Sequence, residues 1–432
     1  MACLELLPAE LQIQIFSYLH GPDVKAARGV SRTLRDNATP AIFRSIVACA
    51  RYQAMGAYQK ISLHSIYPKY VKEIIFDGSI YESILAKNYE NAYYEEQDKI
   101  EELRFASHWE KRSRWIRYQE LYKEQEDMKD SGVLLQTIAR SLEWMPNVSS
   151  VVYSPCPRLI PAEAQQMRDL LPRGTDMYCT TRDHAFRQLI GAIYLSKYTG
   201  IREFKAEARP EEDPGTDFAL CLFDFPETID REAGRYLFQH LTKLELSMSL
   251  ATHVHWSEMS SKIVELLANF TELLVVAKDM RHLTIRFPFC TLHPDDHFSG
   301  GNMSILHFVG ARQSIFRHVG LWATWQKLRS LSLEGTHADE HDLTDFITRH
   351  KNTLSSLTCT KFMLFSGGTW ANVVDEVVYN STVVSFVLDL VNEEFPTHPR
   401  CSVGSNATET RSWKYQGHLV VSEDGKRNFV CS

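Results

Sequence analysis

The chain has 432 residues, 44% of them hydrophobic and 23% charged, which suits several domains or one extended array and is ordinary for a globular protein. A net charge of -7 and a pI near 6.2 exclude a global attraction to nucleic acid or to an anionic membrane, although a local basic patch is compatible with that total. Nine cysteines, an odd number with no CxxC pair, argue against a zinc framework and a secreted disulfide scaffold. A reduced intracellular setting follows, cytoplasm or nucleus, and with neither a leader pattern nor a membrane-length apolar run no membrane is expected.

The first segment with strong character is Leu6-Leu7-Pro8-Ala9-Glu10-Leu11, followed by Ile15-Phe16-Ser17-Tyr18-Leu19. On a helix with Pro8 in its first turn, Leu11, Ile15, Tyr18 and Leu19 share one arc, and Ile13 and Phe16 widen it. The arc spans roughly 220°, against the ~100° stripe that packing on one core needs. One side is left over. Two further helical pieces are expected, one from Val24 to Val30 capped by Asp23 and one from Ser31 to Ala38, with Pro40 ending the second. A unit this small buries little surface by itself, and a contiguous exposed apolar patch marks a partner site.

The run LLPAELQIQIFSYLHGPDVKAARGVSRTL resembles the F-box, the adaptor-binding motif of substrate receptors in cullin-RING ubiquitin ligases. The resemblance rests on Leu7-Pro8, Glu10, Ile15-Phe16, Leu19, Asp23 and Val30-Ser31-Arg32, and covers about a tenth of the chain. It departs after Arg32, where the family often has Trp and this chain has Thr33-Leu34. The resemblance implies that Leu7, Pro8, Leu11, Ile15, Leu19, Val30 and Leu34 dock a Skp adaptor and, through it, a cullin-RING ligase.

Residues 48–130 are expected to connect, with a helical stretch from Val47 to Tyr67, a first strand at Val71–Phe76 and a long charged helix between 88 and 130. That helix carries Trp115, Tyr118, Tyr122 and Met128 along one side, interrupted by Gln125. Its basic cluster of Lys111, Arg112, Arg114 and Arg117 sits among acids and reads as a solvated face.

From Ser131 to about residue 390 helix-period and strand-period segments alternate, and the strands share one form: apolar, two residues, apolar, any, apolar. Val71-Ile74-Phe76 has it already; Val148-Val151-Tyr153, Ile201-Phe204-Ala206, Leu241-Leu244-Leu246, Met280-Leu283-Ile285, Leu328-Leu331-Leu333, Leu354-Leu357-Cys359 and Val383-Phe386-Leu388 follow. Helices are expected around Leu134–Leu142, Phe186–Ile193, Val264–Leu274, Ile315–Trp322, Leu343–His350 and Trp370–Val377. The pattern resembles a leucine-rich repeat array, whose units stack because none buries its apolar face alone. Spacings run from about 26 to over 50 residues, where regular repeats of the family have ~20 to 29, so the expected fold is an irregular α/β solenoid with long insertions, among them 209–216 and 288–302. A single open α/β sheet is the alternative. In the tail, residues 391–432, Asp424-Gly425 between alternating segments predicts a β-hairpin covering the last strand.

Chemistry is sparse. His337 and His341, spaced for one helical face, and His293 and His297 lack the HExxH arrangement, and no third ligand accompanies His253 and His255. There is no nucleophile elbow and no phosphate-binding glycine loop. The reading is therefore a non-catalytic receptor without cofactor or metal: residues 1–47 hold the adaptor and the array holds an unidentified protein target. Its target-binding candidates are Lys205, Glu245, Thr284, Ser332, Thr358 and Lys361, with loops at Phe287–His297 and His253–Trp256. A scaffold with no ligase role and a metal enzyme built on His337 and His341 are the alternatives.

Overall fold

Three short helices follow a 3-10 turn at Leu4–Leu6: α1 (Ala9–Tyr18), α2 (Gly21–Arg28) and α3 (Arg32–Ile42). The computed structural model describes residues 4–19, 21–78, 81, 83–88, 107–154, 185–206, 218–249, 256–287, 314–365, 368–393, 415–421 and 427–431. The chain forms two compact units, Met1–Lys205 and Ala206–Ser432. Both are α/β, in the expected class, with strands that are mostly parallel.

Several local expectations shift. Pro8 precedes α1 as its N-cap with ψ 148° and does not occupy the first turn. Asp23 lies inside the first turn of α2, where it favours the helix dipole instead of capping. Ser31 is the side chain that caps, its hydroxyl accepting the Leu34 N–H at 3.3 Å. Pro40 does not end α3, because only two more residues of helix follow and its missing N–H costs one bond near the end. The chain then turns into a strand, β1 (Ser45–Cys49), where a helical connector is expected.

In the first unit β1, β2 (Glu73–Asp77), β3 (Ser150–Ser154) and β4 (Glu203–Ala206) lie side by side in chain order. The first three are parallel and in register, Ile46 beside Ile74 and Ile74 beside Val151. At each strand start two consecutive amides donate to one carbonyl of the strand before: Lys72 and Glu73 to Arg44, Ser149 and Ser150 to Lys72, Arg202 and Glu203 to Ser149. The apolar positions of the repeated pattern point inward and are buried, as at Ile74, Phe76, Val151, Tyr153 and Phe204. Helices α4 (Tyr52–Ser62), α7 (Val133–Trp144) and α8 (Ala185–Ser196) fill the connections, α7 packing against both α4 and α8.

The long helix is α6 (His108–Asp130), and it packs on α5 (Ser83–Lys87). Residues 89–106 lie outside the described residues. Gln125, the polar break in the predicted stripe, is buried because its amide satisfies both backbone groups of Tyr81, accepting the N–H at 2.8 Å and donating to the carbonyl at 3.2 Å. Trp115 and Gln119 donate likewise to the carbonyls of Leu85 and Ala86. The basic cluster is partly neutralised on its own helix, Arg114 by Glu110 and Arg117 by Glu120.

The second unit is built on β6 (Lys243–Ser249), β7 (His282–Arg286), β8 (Ser330–Glu334), β10 (Ser356–Thr360) and β12 (Ser385–Glu393), adjacent and parallel. Leu244, Leu283, Leu331, Leu357 and Phe386 stand in one buried register row. The double-amide ladder recurs: Arg281 and His282 donate to Thr242, Arg329 and Ser330 to Arg281, Ser355 and Ser356 to Arg329, Val384 and Ser385 to Ser355. Connecting helices are α9 (Thr228–Phe238), α10 (Trp256–Val276), α11 (Ile315–His318), α12 (Glu340–Arg349) and α13 (Trp370–Asn380). The helix expected to reach Trp322 is one turn only, because Gly320 takes φ +79° and leaves the helical region.

A two-residue strand β5 (Phe218–Ala219) pairs with β6, and β9 (His337–Asp339) and β11 (Met363–Phe365) extend the far end of β12. Past β12 the chain returns as β13 (Tyr415–Val421) and β14 (Arg427–Cys431), an antiparallel pair with Val421 opposite Arg427 that covers the β12 edge. Arg427 anchors it by donating to the carbonyls of Val377, Val378, Ser381 and Val383, which supplies acceptors at the end of α13 with a cation.

His350 joins two of these connections. Its Nδ1 bonds the Phe346 carbonyl at 2.8 Å and its Nε2 accepts the Trp325 N–H at 3.0 Å, the assignment that serves both partners. Burial lowers its pKa below the usual 6.5, the Phe346 bond opposes this and nearby Arg349 adds to the lowering. The unfolded chain thus binds more protons between the two pKa values, so this contribution is complete above about pH 6.5 and is lost as pH falls below it. The melting temperature of the second unit should fall between about pH 7.5 and about pH 5.5, with a shallower slope in a His350→Gln variant. Equal slopes in the two proteins would contradict this role.

Candidate functional site

The three-helix unit closes on Phe16, Val24, Leu34 and Ala38, each buried, with Leu4, Ala27, Ala41 and Ile42 packed around them. On α1 the inward positions are Gln12 and Phe16, four apart. Gln12 is 1% exposed, and its amide donates to the Leu7 carbonyl at 2.8 Å while its oxygen accepts from the Asn37 side chain at 2.9 Å. This ties the turn before α1 to α3. Nothing in the local sequence pattern marks Gln12, since its partner Asn37 is 25 residues away.

With Phe16 and Gln12 inside, most of the remaining apolar arc of α1 faces out, joined by exposed apolar residues before and after it. Leu6 is 82% exposed, Leu11 46%, Tyr18 78%, Leu19 41% and Val30 71%. Pro8 is exposed as well, whereas Leu7 and Ile15 are half-buried at the margin of the core. Leu34 differs from the other expected docking residues: it is 4% exposed and packs with Phe16, so it supports the outward arc from behind. The outward group belongs to a unit whose own core is already closed, and exposed apolar side chains of that kind fit a protein partner.

Of the expected target-binding residues, Glu245, Thr284, Ser332 and Thr358 form one register row across β6, β7, β8 and β10. All four are partly exposed on the face opposite the buried leucines. Lys361 is outside this row. It follows β10 with φ 47° and its ammonium sits 3.5 Å from Glu334. Glu334 also meets Arg286 at 3.8 Å, and Arg286 meets Glu245 at 3.0 Å, so the row's far side carries a self-neutralising chain of charges. Lys205 is exposed in β4, in the first unit. The loops at 288–297 and 253–255 lie outside the described residues.

The histidine pair separates. His337 is fully buried in β9, and His341 is exposed in the first turn of α12, so the two do not share a helical face. No group of three or more His, Cys, Asp or Glu able to hold a metal occurs among the described residues, and His293, His297, His253 and His255 lie outside them. Cys359 is buried, and burial pushes its thiol pKa far up, away from reactive thiolate chemistry. Among the described residues no helix is long and apolar enough to cross a membrane.

No curated protein matches the chain. Its N-terminal segment, residues 4–48, matches the F-box-like family model, which spans α1, α2 and α3 and nearly all of β1. Residues 4–48 are an F-box-like domain.

Proposed function

We propose that the chain is the substrate-recognition subunit of a Skp-cullin-F-box ubiquitin ligase. The observation that carries this reading is the coincidence of an F-box-like domain at residues 4–48 with the outward apolar group Leu6, Leu11, Tyr18, Leu19 and Val30 on a separately closed core. An F-box-like domain is a module that can bind a Skp-type adaptor, and such modules are typically non-catalytic. In this proposal Leu7, Pro8, Leu11, Ile15, Leu19 and Val30 form the docking surface, with Leu34 holding it from inside.

Residues 48–130 would then connect, and 131–390 would act as an irregular leucine-rich-repeat-like array closed by the tail, 391–432. Support for the array is the repeated register row, the double-amide ladder and strands adjacent in chain order, which together are what stacked repeats require. Strands with this ladder begin in the docking unit, since β2 starts on the Arg44 carbonyl. The target would lie on the polar strand face around Glu245, Thr284, Ser332 and Thr358. Ligase chemistry belongs to the partner subunits, and this chain supplies proximity of the target to them.

The test is proximity labelling in cells with the intact chain and with a Leu7→Ala, Pro8→Ala double variant. Targets that accumulate around the variant and not around the intact chain are expected. Identical labelled sets of equal abundance would favour a scaffold with no ligase role.

A further inference from the structure

We infer that the strand starts of the second unit form a docking strip for an acidic, extended segment of the target protein. The inference rests on the receptor reading above and specifies the chemistry of what the array holds. Lys243, His282, Ser330 and Ser356 are register neighbours across β6, β7, β8 and β10, and Arg281 and Arg329 stand just before β7 and β8. The Arg329 N–H donates to the Arg281 carbonyl at 2.8 Å, so the two arginines are one strand spacing apart.

Charge is distributed unequally along these strands. At their far ends the cations are matched, Arg286 by Glu245 and Glu334, and Lys361 by Glu334. At their starts Lys327 is held by Asp279 at 2.5 Å, whereas Arg281 and Arg329 are exposed and, among the described residues, neither guanidinium has a carboxylate partner. His282 is exposed beside them, and the hydroxyls of Ser330 and Ser356 continue the row. In a chain with net charge -7, Arg281 and Arg329 are thus exposed cations without a carboxylate partner among the described residues.

Three strand spacings, from Lys243 to Ser356, cover about 14 Å, the reach of four to five residues of extended chain. Guanidinium groups present forked donors that match carboxylates two at a time, and hydroxyls between them serve a peptide backbone. Charge complementarity therefore selects an Asp- and Glu-bearing segment that runs across the strands.

The test uses the full chain and fluorescence anisotropy with a labelled, Asp/Glu-rich peptide of about ten residues and its Asn/Gln counterpart. The acidic peptide should bind about tenfold more tightly than the neutral one and weaken with salt. An Arg281→Gln, Arg329→Gln variant should lose at least about fivefold of that affinity. A control variant, Arg112→Gln with Arg117→Gln on α6, removes the same net charge elsewhere and should stay within about twofold of the intact chain. Equal losses in the two variants, no loss in the strip variant, or equal binding of the neutral peptide would overturn the inference. Tighter binding of a single-stranded RNA oligomer than of the acidic peptide, lost in the strip variant, would overturn it by making the strip a nucleic-acid site. Adaptor co-purification of the same proteins reports separately on the receptor reading, because both variants leave residues 4–48 intact.

Discussion

Phe16→Ala is expected to unfold the F-box-like domain and with it to abolish adaptor retention, although Phe16 is buried and lies outside the proposed docking surface. Its ring is 1% exposed and is the largest side chain in a core of four buried residues. Truncating a buried Phe to Ala costs about 3–5 kcal/mol, through lost burial and the cavity left behind. A three-helix unit of this size has little more than that in reserve. Hydrogen exchange should therefore show α1, α2 and α3 losing protection while the second unit keeps its own. Retained protection in those helices would contradict the packing described for Phe16. A surface change such as Leu11→Ala, at a position 46% exposed, is expected to leave exchange untouched, which separates docking from folding.

Gly335→Ala is expected to be the most damaging small change in the second unit. Gly335 closes β8 with φ +64°, and its N–H donates to the Thr360 carbonyl at 3.0 Å while Phe287 donates to the neighbouring Glu334 carbonyl at 2.9 Å. A Cβ on that glycine would fall on the Phe287 carbonyl oxygen, far inside van der Waals contact, and the obstacle is backbone held in a ladder. The left-handed conformation alone costs a non-glycine residue about 1–2 kcal/mol. Displacing the strand end raises the expected loss to roughly 3 kcal/mol or more, readable as a lower denaturation midpoint. Gly335→Asn distinguishes the two causes, since Asn tolerates the dihedral but carries the same Cβ. Recovery with Asn would show that the close approach to Phe287 is not what matters.

The strands were legible because their inward positions recur at one, four and six, and the eight segments named for that form each lie in a strand or at its start, although the same spacing also occurs inside helices, as at Ile13-Phe16-Tyr18. Glu245, Thr284, Ser332 and Thr358 could be grouped for the same reason, as they hold position five of successive copies. Strand β1 is poorly marked although Phe43, Ile46 and Ala48 have the same spacing, because Pro40 and the end of α3 stand just before it and a small residue ends the pattern. Buried amides are poorly marked for a different reason. Gln12 and Gln125 face partners 25 and 44 residues away, and periodicity over a short window records only that a polar residue interrupts a stripe. Leu34 is the converse case, since a motif position names a residue without saying which way it faces, and here it faces inward.

The central claim is that the outward apolar group of α1 is half of an interface with a Skp-type adaptor. Calorimetric titration of recombinant Skp adaptor into the full chain and into a Leu11→Ala, Leu19→Ala variant tests it directly. The intact chain should bind, and the variant should weaken binding by about tenfold to a hundredfold at unchanged melting temperature, as loss of two central apolar contacts worth about 1–3 kcal/mol together requires. Absence of binding by the intact chain, or affinities within about twofold of each other, would contradict the claim.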